Sequence, residues 1–150
     1  MVVDDIIIRE AIKQDISDIL LLLYELGRPK PADSDTDSFE NLVTRYITDS
    51  DKQILVAIDE SKILGMISMM FLPRLNHTAN ELYIPELVVL KKHQNRGIGK
   101  KLINCCITIS KDKKYHRIRL ESGNTRQESH QFYKHLGFEQ SALSFTLNLK

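Results

Sequence analysis

Residues 86–102 read ELVVLKKHQNRGIGKKL, and this stretch determines the fold and the chemistry that we expect. An apolar segment over residues 82–90 predicts a buried strand, a short basic loop follows it, and two glycines then open a helix over residues 97–110. The first turn of a helix has unpaired N–H groups and a partial positive charge, and glycine lets a ligand approach these groups closely. The pattern therefore predicts a diphosphate-binding turn between a strand and a helix.

Three phosphate-binding patterns compete for this turn. A dinucleotide fingerprint requires a third glycine where Leu102 stands, and a nucleoside-triphosphate loop requires glycine at Gln94 and serine or threonine at Lys101. The third pattern, Gln/Arg-x-x-Gly-x-Gly/Ala after a strand, is matched by Gln94, Gly97 and Gly99. Cationic side chains accompany it: Lys91, Lys92, Arg96, Lys100 and Lys101.

The rest of the chain predicts a mixed α/β (α+β) fold. Apolar spacing and turn residues predict strands over 6–9, 54–58, 63–71, 82–90, 117–120 and 144–149. They also predict helices over 15–26, 97–110 and 127–136, and a further helix that Asp37 or Ser38 caps. The order βααβββαβαβ indicates a central mixed, mostly antiparallel sheet with helices on both faces. The two strands that flank the glycine-opened helix should be parallel. Pro85 cannot donate to a strand ladder, so it predicts a bulge or a local parting.

Bulk composition narrows the class of protein. The 150 residues carry a net charge of +1 and are 42% hydrophobic, which suits one domain over residues 1–150 and gives no nucleic-acid footprint. The longest apolar run is well short of the roughly 20 residues that span a bilayer. Cys105 and Cys106 are adjacent in a helical pattern and form no disulfide framework, so we expect a soluble cytoplasmic protein. The histidines form no metal-ligand pattern, and we expect no required metal.

The glycine pattern resembles that of the GNAT superfamily of N-acetyltransferases. A second family signature follows it, with Asn124 preceding a helix that carries FYKHLGF at residues 132–138. The resemblance covers essentially the whole chain and is specific over residues 83–102 and 120–138. It implies the GNAT acyl-CoA N-acyltransferase fold, N-acetyltransferase activity and acetyl-CoA as the cofactor.

The resemblance also implies where the cofactor lies. The strand over residues 82–90 parts from the strand over 117–120, and pantetheine bonds to the exposed backbone like an added strand. The diphosphate then lies on the turn that follows. The cofactor-binding residues implied are Leu87, Val88, Val89, Gln94, Asn95, Arg96, Gly97, Ile98, Gly99, Lys100, Asn124, His130 and Tyr133.

Acyl transfer to an amine needs a base for the amine and an acid for the leaving thiolate. Neutralising an alkylamine at neutral pH costs about 4 kcal/mol. The resemblance implies Tyr133 as the acid, near the sulfur of CoA. Glu86, on the cofactor strand, is our choice of base, since Tyr83 stands where the family often has a carboxylate; Glu81 and ordered water are the alternatives. A backbone N–H of Val88 or a neighbour is the expected oxyanion donor.

The acceptor is the least constrained part of the reaction. The family builds its acceptor pocket from the loops that correspond to residues 27–38 and 73–80. Within the first loop, Asp33, Asp35 and Asp37 either attract a cationic amine or act as solvated and helix-capping residues.

A narrower resemblance links the chain to aminoalkylphosphonate acetyltransferases. It rests on ELVV at residues 86–89, the pattern R-x-x-x-H-x-F-Y at 126–133 and FEQS at 138–141. Arg126 and His130 lie one helical turn apart, where they would contact an anionic group of the acceptor or of CoA, or remain exposed polar residues.

We therefore expect an enzyme that acetylates the primary amine of a small molecule, with no nucleic-acid or membrane partner. The alternatives are a protein or peptide N-acetyltransferase and a non-catalytic acyl-CoA-binding sensor. Exposed strand edges are compatible with a homodimer.

Overall fold

The computed structural model of the chain describes residues 5–27 and 36–150, which form two compact units. The first unit ends at Arg119, and the second runs from Leu120 to Lys150. Asp33, Asp35 and most of the loop over residues 27–38 lie outside the described residues. The expectation of a single domain over residues 1–150 stays a prediction.

The first unit contains most of the strands and helices that the sequence predicts. Its elements are β1 (Ile7–Glu10), α1 (Ile16–Glu25), α2 (Thr36–Thr48), β2 (Lys52–Asp59), β3 (Lys62–Leu72), β4 (Glu81–Ile84), β5 (Leu87–Val89), α3 (Ile98–Asp112) and β6 (Ile118–Leu120). The last residue of β6 belongs to the second unit. Helix α2 begins at Thr36, so the prediction of Asp37 or Ser38 as its cap is wrong; both lie inside the first turn. None of the helices in the described ranges is long and apolar enough to cross a bilayer.

The sheet is mixed and mostly antiparallel, as predicted. The strand order is β1-β2-β3-β4-β6, with β5 paired to β3 beside β4. The pairs β1–β2, β2–β3, β3–β4 and β3–β5 are all antiparallel. Between β4 and β6, His116 donates its N–H to Asn80 O (3.1 Å) and Leu82 donates to Arg117 O (3.0 Å), so both segments advance in the same direction. This is the parallel pair expected on either side of α3.

The predicted strand over residues 82–90 is interrupted by a bulge at its proline. Met70 of β3 lies opposite Tyr83 of β4, and Ile67 lies opposite Leu87 of β5. Two residues of β3 therefore face three residues, 84–86, on the other strand. The middle one of these three is the proline that predicted a bulge or a parting, and the register confirms the bulge.

This extra residue decides which side chains share a face of the sheet. Ser68 and Met70 are alternate residues of β3 and point to the same side. Tyr83 lies opposite Met70, and Glu86 bonds to Ser68, so Tyr83 and Glu86 lie on one face although they are three residues apart. Without the bulge, an odd spacing would place them on opposite faces. We call this side of the sheet the Glu86 face.

Helices pack on both faces of the sheet, as predicted. On the Glu86 face, α1 and α2 contribute to a buried cluster with residues of β2, β3 and β5. On the opposite face, α3 buries its apolar stripe, Ile98, Leu102, Ile103 and Cys106. Burial raises the pKa of Cys106 to about 12, with a smaller contribution from Cys105, so this thiol stays protonated and serves as a core residue.

The second unit contains helix α4 (Gln127–His135), which ends before Gly137 as predicted. Gly137 has φ +95°, a conformation that favours glycine. The predicted strand over residues 144–149 is wrong, because residues 139–150 have no regular secondary structure. Leu143, Phe145 and Leu147 alternate as in a strand, yet they are 77–90% exposed. A strand needs a hydrogen-bonded neighbour, and no described strand pairs with this segment.

Candidate functional site

The backbone of β5 divides its hydrogen-bonding groups between two sides. Leu90 donates its N–H to a β3 carbonyl (2.8 Å), and the carbonyl of Glu86 accepts from a β3 amide (2.9 Å). Successive residues of an antiparallel strand point their N–H and C=O groups to alternate sides, so Val88 also points toward β3. The N–H groups of Leu87 and Val89 point away from β3. This arrangement favours Leu87 and Val89 over Val88 as backbone donors to a ligand.

The carboxylate of Glu86 is held by a buried serine on the neighbouring strand. Ser68 donates its hydroxyl to Glu86 Oε1 (2.7 Å), and the same hydroxyl accepts the N–H of Glu86 (3.0 Å). Ser68 is only 1% exposed, and its own N–H donates to Glu86 O (2.9 Å). These three hydrogen bonds hold the bulge against β3 and also fix the position of one carboxylate oxygen of Glu86. Sequence reasoning missed this serine.

The turn between β5 and α3 has the backbone that its sequence predicts. Asn95 (φ 65°) and Gly97 (φ 80°) are left-handed, and Gly97 occupies the N-cap position of α3 without a side-chain cap. The first helical bond runs from Lys101 N–H to Gly97 O (3.0 Å), so the amides that precede it have no helical acceptor. Gln94 turns back and donates its side-chain N–H to Val89 O (3.1 Å). This bond ties the turn to the strand.

The cations around the turn do not all face a ligand. Lys101 donates to the carbonyl of Ile6 (2.7 Å) and therefore anchors α3 to the start of β1. Arg96 Nη1 lies 2.6 Å from His93 Nδ1, which must accept this bond because arginine only donates. Lys100 is exposed at the first turn of α3. Fewer side chains than predicted are therefore available to a diphosphate, because Lys101 stabilises the contact between α3 and β1.

Gly65 permits the close approach of three elements at this site. A Cβ at this position of β3 would lie 3.0 Å from Val88 O, 3.3 Å from Val89 Cγ2 and 3.4 Å from Ile98 Cγ2. Any side chain would therefore push β3 away from β5 and from the start of α3. Sequence reasoning missed Gly65, although a glycine inside an apolar strand signals a close approach.

Tyr133 lies on α4 in the second unit. Its ring contacts Phe132 and Phe138 edge-on, with centroid separations of 5.2 and 5.7 Å. Burial raises the pKa of Tyr133, and Arg126 only partly opposes this effect. The phenol therefore stays protonated at neutral pH, which is the state that a general acid requires.

His130 holds the loop that carries Asn124. Its Nε2 lies 2.7 Å from Gly123 O, so this nitrogen carries the proton that it donates. Gln127 donates to Asn124 O (3.4 Å), and the N–H of His130 donates to Arg126 O (3.1 Å). The imidazole thus has a structural partner inside its own unit, and its assignment as a cofactor ligand stays a prediction.

Glu81 is tied into a cluster that sequence reasoning did not detect. It is 0% exposed and accepts bonds from Arg74 Nη1 (3.0 Å), Arg117 Nε (2.6 Å) and Arg119 Nε (3.2 Å). Burial alone would raise the pKa of Glu81, but the bonds from Arg117 and Arg119 outweigh it and the pKa is lowered. A carboxylate so strongly held is a poor proton acceptor, which leaves Glu86 ahead of Glu81 as the candidate base.

The first unit therefore brings Glu86, residues 87–89 and residues 94–100 together along one strand, turn and helix. The second unit brings Asn124, His130 and Tyr133 together on one loop and helix. Among the residues that the structure describes, no group of three or more His, Cys, Asp or Glu side chains is placed to hold a metal ion. The expectation that no metal is required stays a prediction.

Comparison with known proteins decides the family. Residues 14–138 match the family model described as Acetyltransferase (GNAT) family. The chain belongs to the GNAT family of acetyltransferases. Among curated relatives, it is 25% identical over 139 residues to the aminoalkylphosphonate N-acetyltransferase of Salmonella typhimurium, covering 93% of this chain and 88% of the relative. The predicted family and enzyme class, an N-acetyltransferase, are confirmed.

Other proteins are similar to this chain over a smaller part of their own length, or in their fold alone. Human N-acetyltransferase 8 is 23% identical over 105 residues, which are 70% of this chain and 46% of that protein, so this GNAT chain spans about half of it. A transcriptional regulator from Bacillus halodurans has a TM-score of 0.89 at 23% identity, covering 96% of this chain and 99% of that one. An aminoglycoside acetyltransferase from a soil metagenome, solved with trehalose, has a TM-score of 0.81 at 20% identity, with 98% of each chain covered. These structures confirm the predicted fold.

Proposed function

We propose that this GNAT protein transfers the acetyl group of acetyl-CoA to the primary amine of a small molecule, by direct attack of the amine on the thioester. The main support is a row of backbone N–H groups. The outward amides of Leu87 and Val89 come first, and the uncapped amides after Gly97 follow at the start of α3. No acidic residue occurs between Glu86 and Asp112, so no carboxylate of this segment repels a diphosphate.

The residues present fit the cofactor. Residues 94–100 would hold the diphosphate, and the outward N–H groups of Leu87 and Val89 would donate to the amide oxygens of pantetheine as an added strand does. When bound, acetyl-CoA supplies the acetyl thioester. An outward amide of β5 would stabilise the negative charge that develops on the thioester oxygen.

Two side chains would move the protons of the reaction. The Glu86 carboxylate, held at Oε1 by Ser68, would accept a proton from the attacking amine, directly or through water. The attack would form the nitrogen–carbon bond and break the carbon–sulfur bond, and the Tyr133 phenol would give its proton to the sulfur. The raised pKa of Tyr133 supports this role, because the proton is present at neutral pH.

The alternatives differ in the acceptor and in turnover. One is acetylation of a protein or peptide amine. The other is a non-catalytic sensor of acyl-CoA, and a solved structure of the same fold is named a transcriptional regulator. The cytoplasmic location, the homodimer and the absence of nucleic-acid and membrane partners also stay predictions.

A two-part experiment tests the proposal. First, thermal unfolding is followed during titration with CoA, for the native chain and for Gly97→Ala. Non-glycine residues pay about 1–2 kcal/mol for a left-handed conformation, and a Cβ would also face the diphosphate. We expect CoA to raise the melting temperature of the native protein and to raise that of Gly97→Ala much less.

Second, release of free CoA from acetyl-CoA is measured with a panel of small amines and with a panel of peptides. Turnover with small amines supports the proposal, and turnover with peptides alone would contradict it in favour of the first alternative. Stabilisation by CoA with no turnover on either panel would favour the sensor. A melting temperature that CoA leaves unchanged would overturn the cofactor assignment itself.

A further inference from the structure

Residues 143–149 have the sequence of a strand but no strand partner. They read LSFTLNL, in which apolar and polar side chains alternate without interruption. Alternate residues of a strand point to opposite sides, so this LSFTLNL segment would have one apolar side and one polar side. Its apolar side chains are 77–90% exposed, and no described strand pairs with it. A continuous exposed apolar strip of this kind marks an interaction site.

The sheet ends at β6 with an edge that can accept another strand. Leu82 of β4 donates its N–H to Arg117 O (3.0 Å), so the carbonyl of Arg117 and, by alternation, the backbone groups of Arg119 point toward β4. The N–H and C=O groups of Ile118 and Leu120 therefore point to the other side. No described strand lies on that side of β6. A row of donors and acceptors at a sheet edge binds an added strand.

The two sides of β6 match the two sides of the segment. Arg119 lies over the Tyr83 ring, 4.6 Å from its centroid, and is therefore on the Glu86 face. Ile118 and Leu120 then lie on the opposite face with α3, and both are only partly buried. An added LSFTLNL strand would extend this apolar face with its leucines and Phe145, and its polar side chains would lie on the Glu86 face.

The other edge strand, β1, does not match the segment. Ile7 and Arg9 share one side of β1, and Ile8 and Glu10 share the other. Each side therefore combines an apolar residue with a charged one. A strand with one wholly apolar side would place a leucine beside a charge on either face, so β6 is the better partner.

Within one chain, the segment begins beside β6 but does not pair with it. Ser144 donates its hydroxyl to Glu121 Oε2 (3.3 Å), directly after β6. The residues that follow form no ladder with that strand, and Phe145, Leu147 and Leu149 are 84–90% exposed. Each copy therefore has both an unpaired segment and an unpaired edge. Two copies related by a two-fold axis satisfy both at once, because each gives its segment to the other.

We propose that the LSFTLNL segment of one copy adds to the free edge of β6 in a second copy, and that the exchange is reciprocal, which makes a symmetric dimer. A stable interface buries about 800 Å² of each partner. A buried aromatic side chain supplies about 150–250 Å², and each segment contributes three leucines besides Phe145. These side chains and the edge that they cover account for most of the required area.

Sedimentation equilibrium of the native chain and of Phe145→Asp tests the interface. We expect the native chain to be a dimer. Phe145→Asp should raise the dissociation constant of the dimer about hundredfold or more, because the exchange buries the ring once in each half. The ring is 90% exposed within one chain, so the single chain should keep its fold, which circular dichroism checks.

Thr146→Asp is the matched control. It adds the same charge at the next residue, on the polar side of the segment, and Thr146 is also exposed within one chain. We expect this variant to remain a dimer with a dissociation constant close to the native one.

Isotope-filtered NMR determines whose β6 the segment covers. Labelled and unlabelled native chains are unfolded together and refolded, so that mixed dimers form. We expect nuclear Overhauser effects between Ile118 or Leu120 of one copy and Phe145 or Leu147 of the other.

Three results would overturn the exchange. The first is a native chain that stays monomeric at every concentration. The second is a dimer that Phe145→Asp leaves intact or that Thr146→Asp weakens equally. The third is a set of contacts confined to one copy, which would mean that the segment folds back on its own β6. Because no measurement here uses turnover, the proposed acetyl transfer stands or fails separately.

Discussion

Two buried carboxylates of the first unit have opposite surroundings. Asp15, just before α1, receives both bonds of one guanidinium, from Arg9 Nη1 (2.7 Å) and Nη2 (3.0 Å), and the N–H of Ile12 (2.8 Å) completes its set. Its pKa is lowered, chiefly by the hydrogen bonds from Arg9. Glu81 is more deeply buried and has three guanidinium partners. One carboxylate has a single guanidinium partner and the other has three.

The difference separates a pair that joins neighbouring elements from a cluster that joins strands distant in sequence. The Arg9–Asp15 pair joins the end of β1 to the start of α1, and its members are complete without any other group. Glu81 and Tyr83 are alternate residues of β4, so the Glu81 cluster lies on the Glu86 face, where it joins β4 to β6. Substitutions near Asp15 should therefore affect stability, and substitutions on the Glu86 face should affect turnover.

Glu86→Gln should have the largest effect on turnover. Glutamine keeps the shape of the side chain but cannot accept the proton of an ammonium group, so kcat should fall about hundredfold. The melting temperature should change little, because the amide oxygen still accepts the bond from Ser68. Rates with the best amine and thermal unfolding curves measure both quantities.

Glu60→Gln is the matched control for this substitution, since Glu60 is exposed in the β2–β3 turn. It should leave both kcat and the melting temperature unchanged. If Glu86→Gln keeps more than about a third of the native kcat, far from the hundredfold loss of a missing general base, water or another group is the base.

Asp15→Asn should have the next largest effect, on stability alone. Loss of a buried charge-assisted pair costs about 2 kcal/mol, which lowers the melting temperature of a chain of this size by about 5 °C. Rates measured well below the unfolding transition should match those of the native protein. A large loss of kcat at that temperature would contradict the division between the two carboxylates.

The contribution of Asp15 should also depend on pH. Its folded pKa is lowered by Arg9, so the pair stabilises the fold fully above the unfolded pKa of about 3.9 and this stability is lost as pH falls through the folded pKa. The gap in melting temperature between the native protein and Asp15→Asn should be constant at neutral pH and should narrow in acid. A gap that widens in acid would contradict the assignment.

Local signals account for the part of the fold and site that sequence could predict. Gly97 ends the turn and opens α3 because its backbone is left-handed, and the proline of the 84–86 bulge interrupts the strand because it lacks an N–H. Apolar periodicity gives the helices within a few residues of their observed ends. Each of these signals depends only on residues that are close together in the sequence, so the sequence alone reveals it.

Contacts between distant residues account for what the sequence could not predict. Glu81 meets Arg117 and Arg119 across 36 and 38 residues, and only the parallel pairing of β4 with β6 brings them together. The bond between Ser68 and Glu86 depends on the register beside the bulge. The alternation over residues 144–149 is typical of a strand, but alternation does not supply a partner.

Ser68→Ala is the smallest and the most specific test of the Glu86 face. The hydroxyl of Ser68 fixes Glu86 Oε1 and accepts the N–H of Glu86, so its removal should leave the base present but less well oriented. We expect kcat to fall about fivefold, equivalent to roughly 1 kcal/mol, with the KM for acetyl-CoA unchanged.

Ser110→Ala makes the same chemical change at a site that should not respond. Ser110 is 6% exposed on α3, and its hydroxyl has no hydrogen-bond partner among the described residues. Removing an unsatisfied hydroxyl should leave stability equal or slightly higher and kcat unchanged. If both substitutions lower kcat equally, the loss reflects a general decrease in the stability of the first unit. Ser68 then has no specific role in orienting Glu86. A loss confined to Ser68→Ala assigns the effect to the bonds with Glu86, because both variants lose one buried hydroxyl and only Ser68→Ala also loses those bonds.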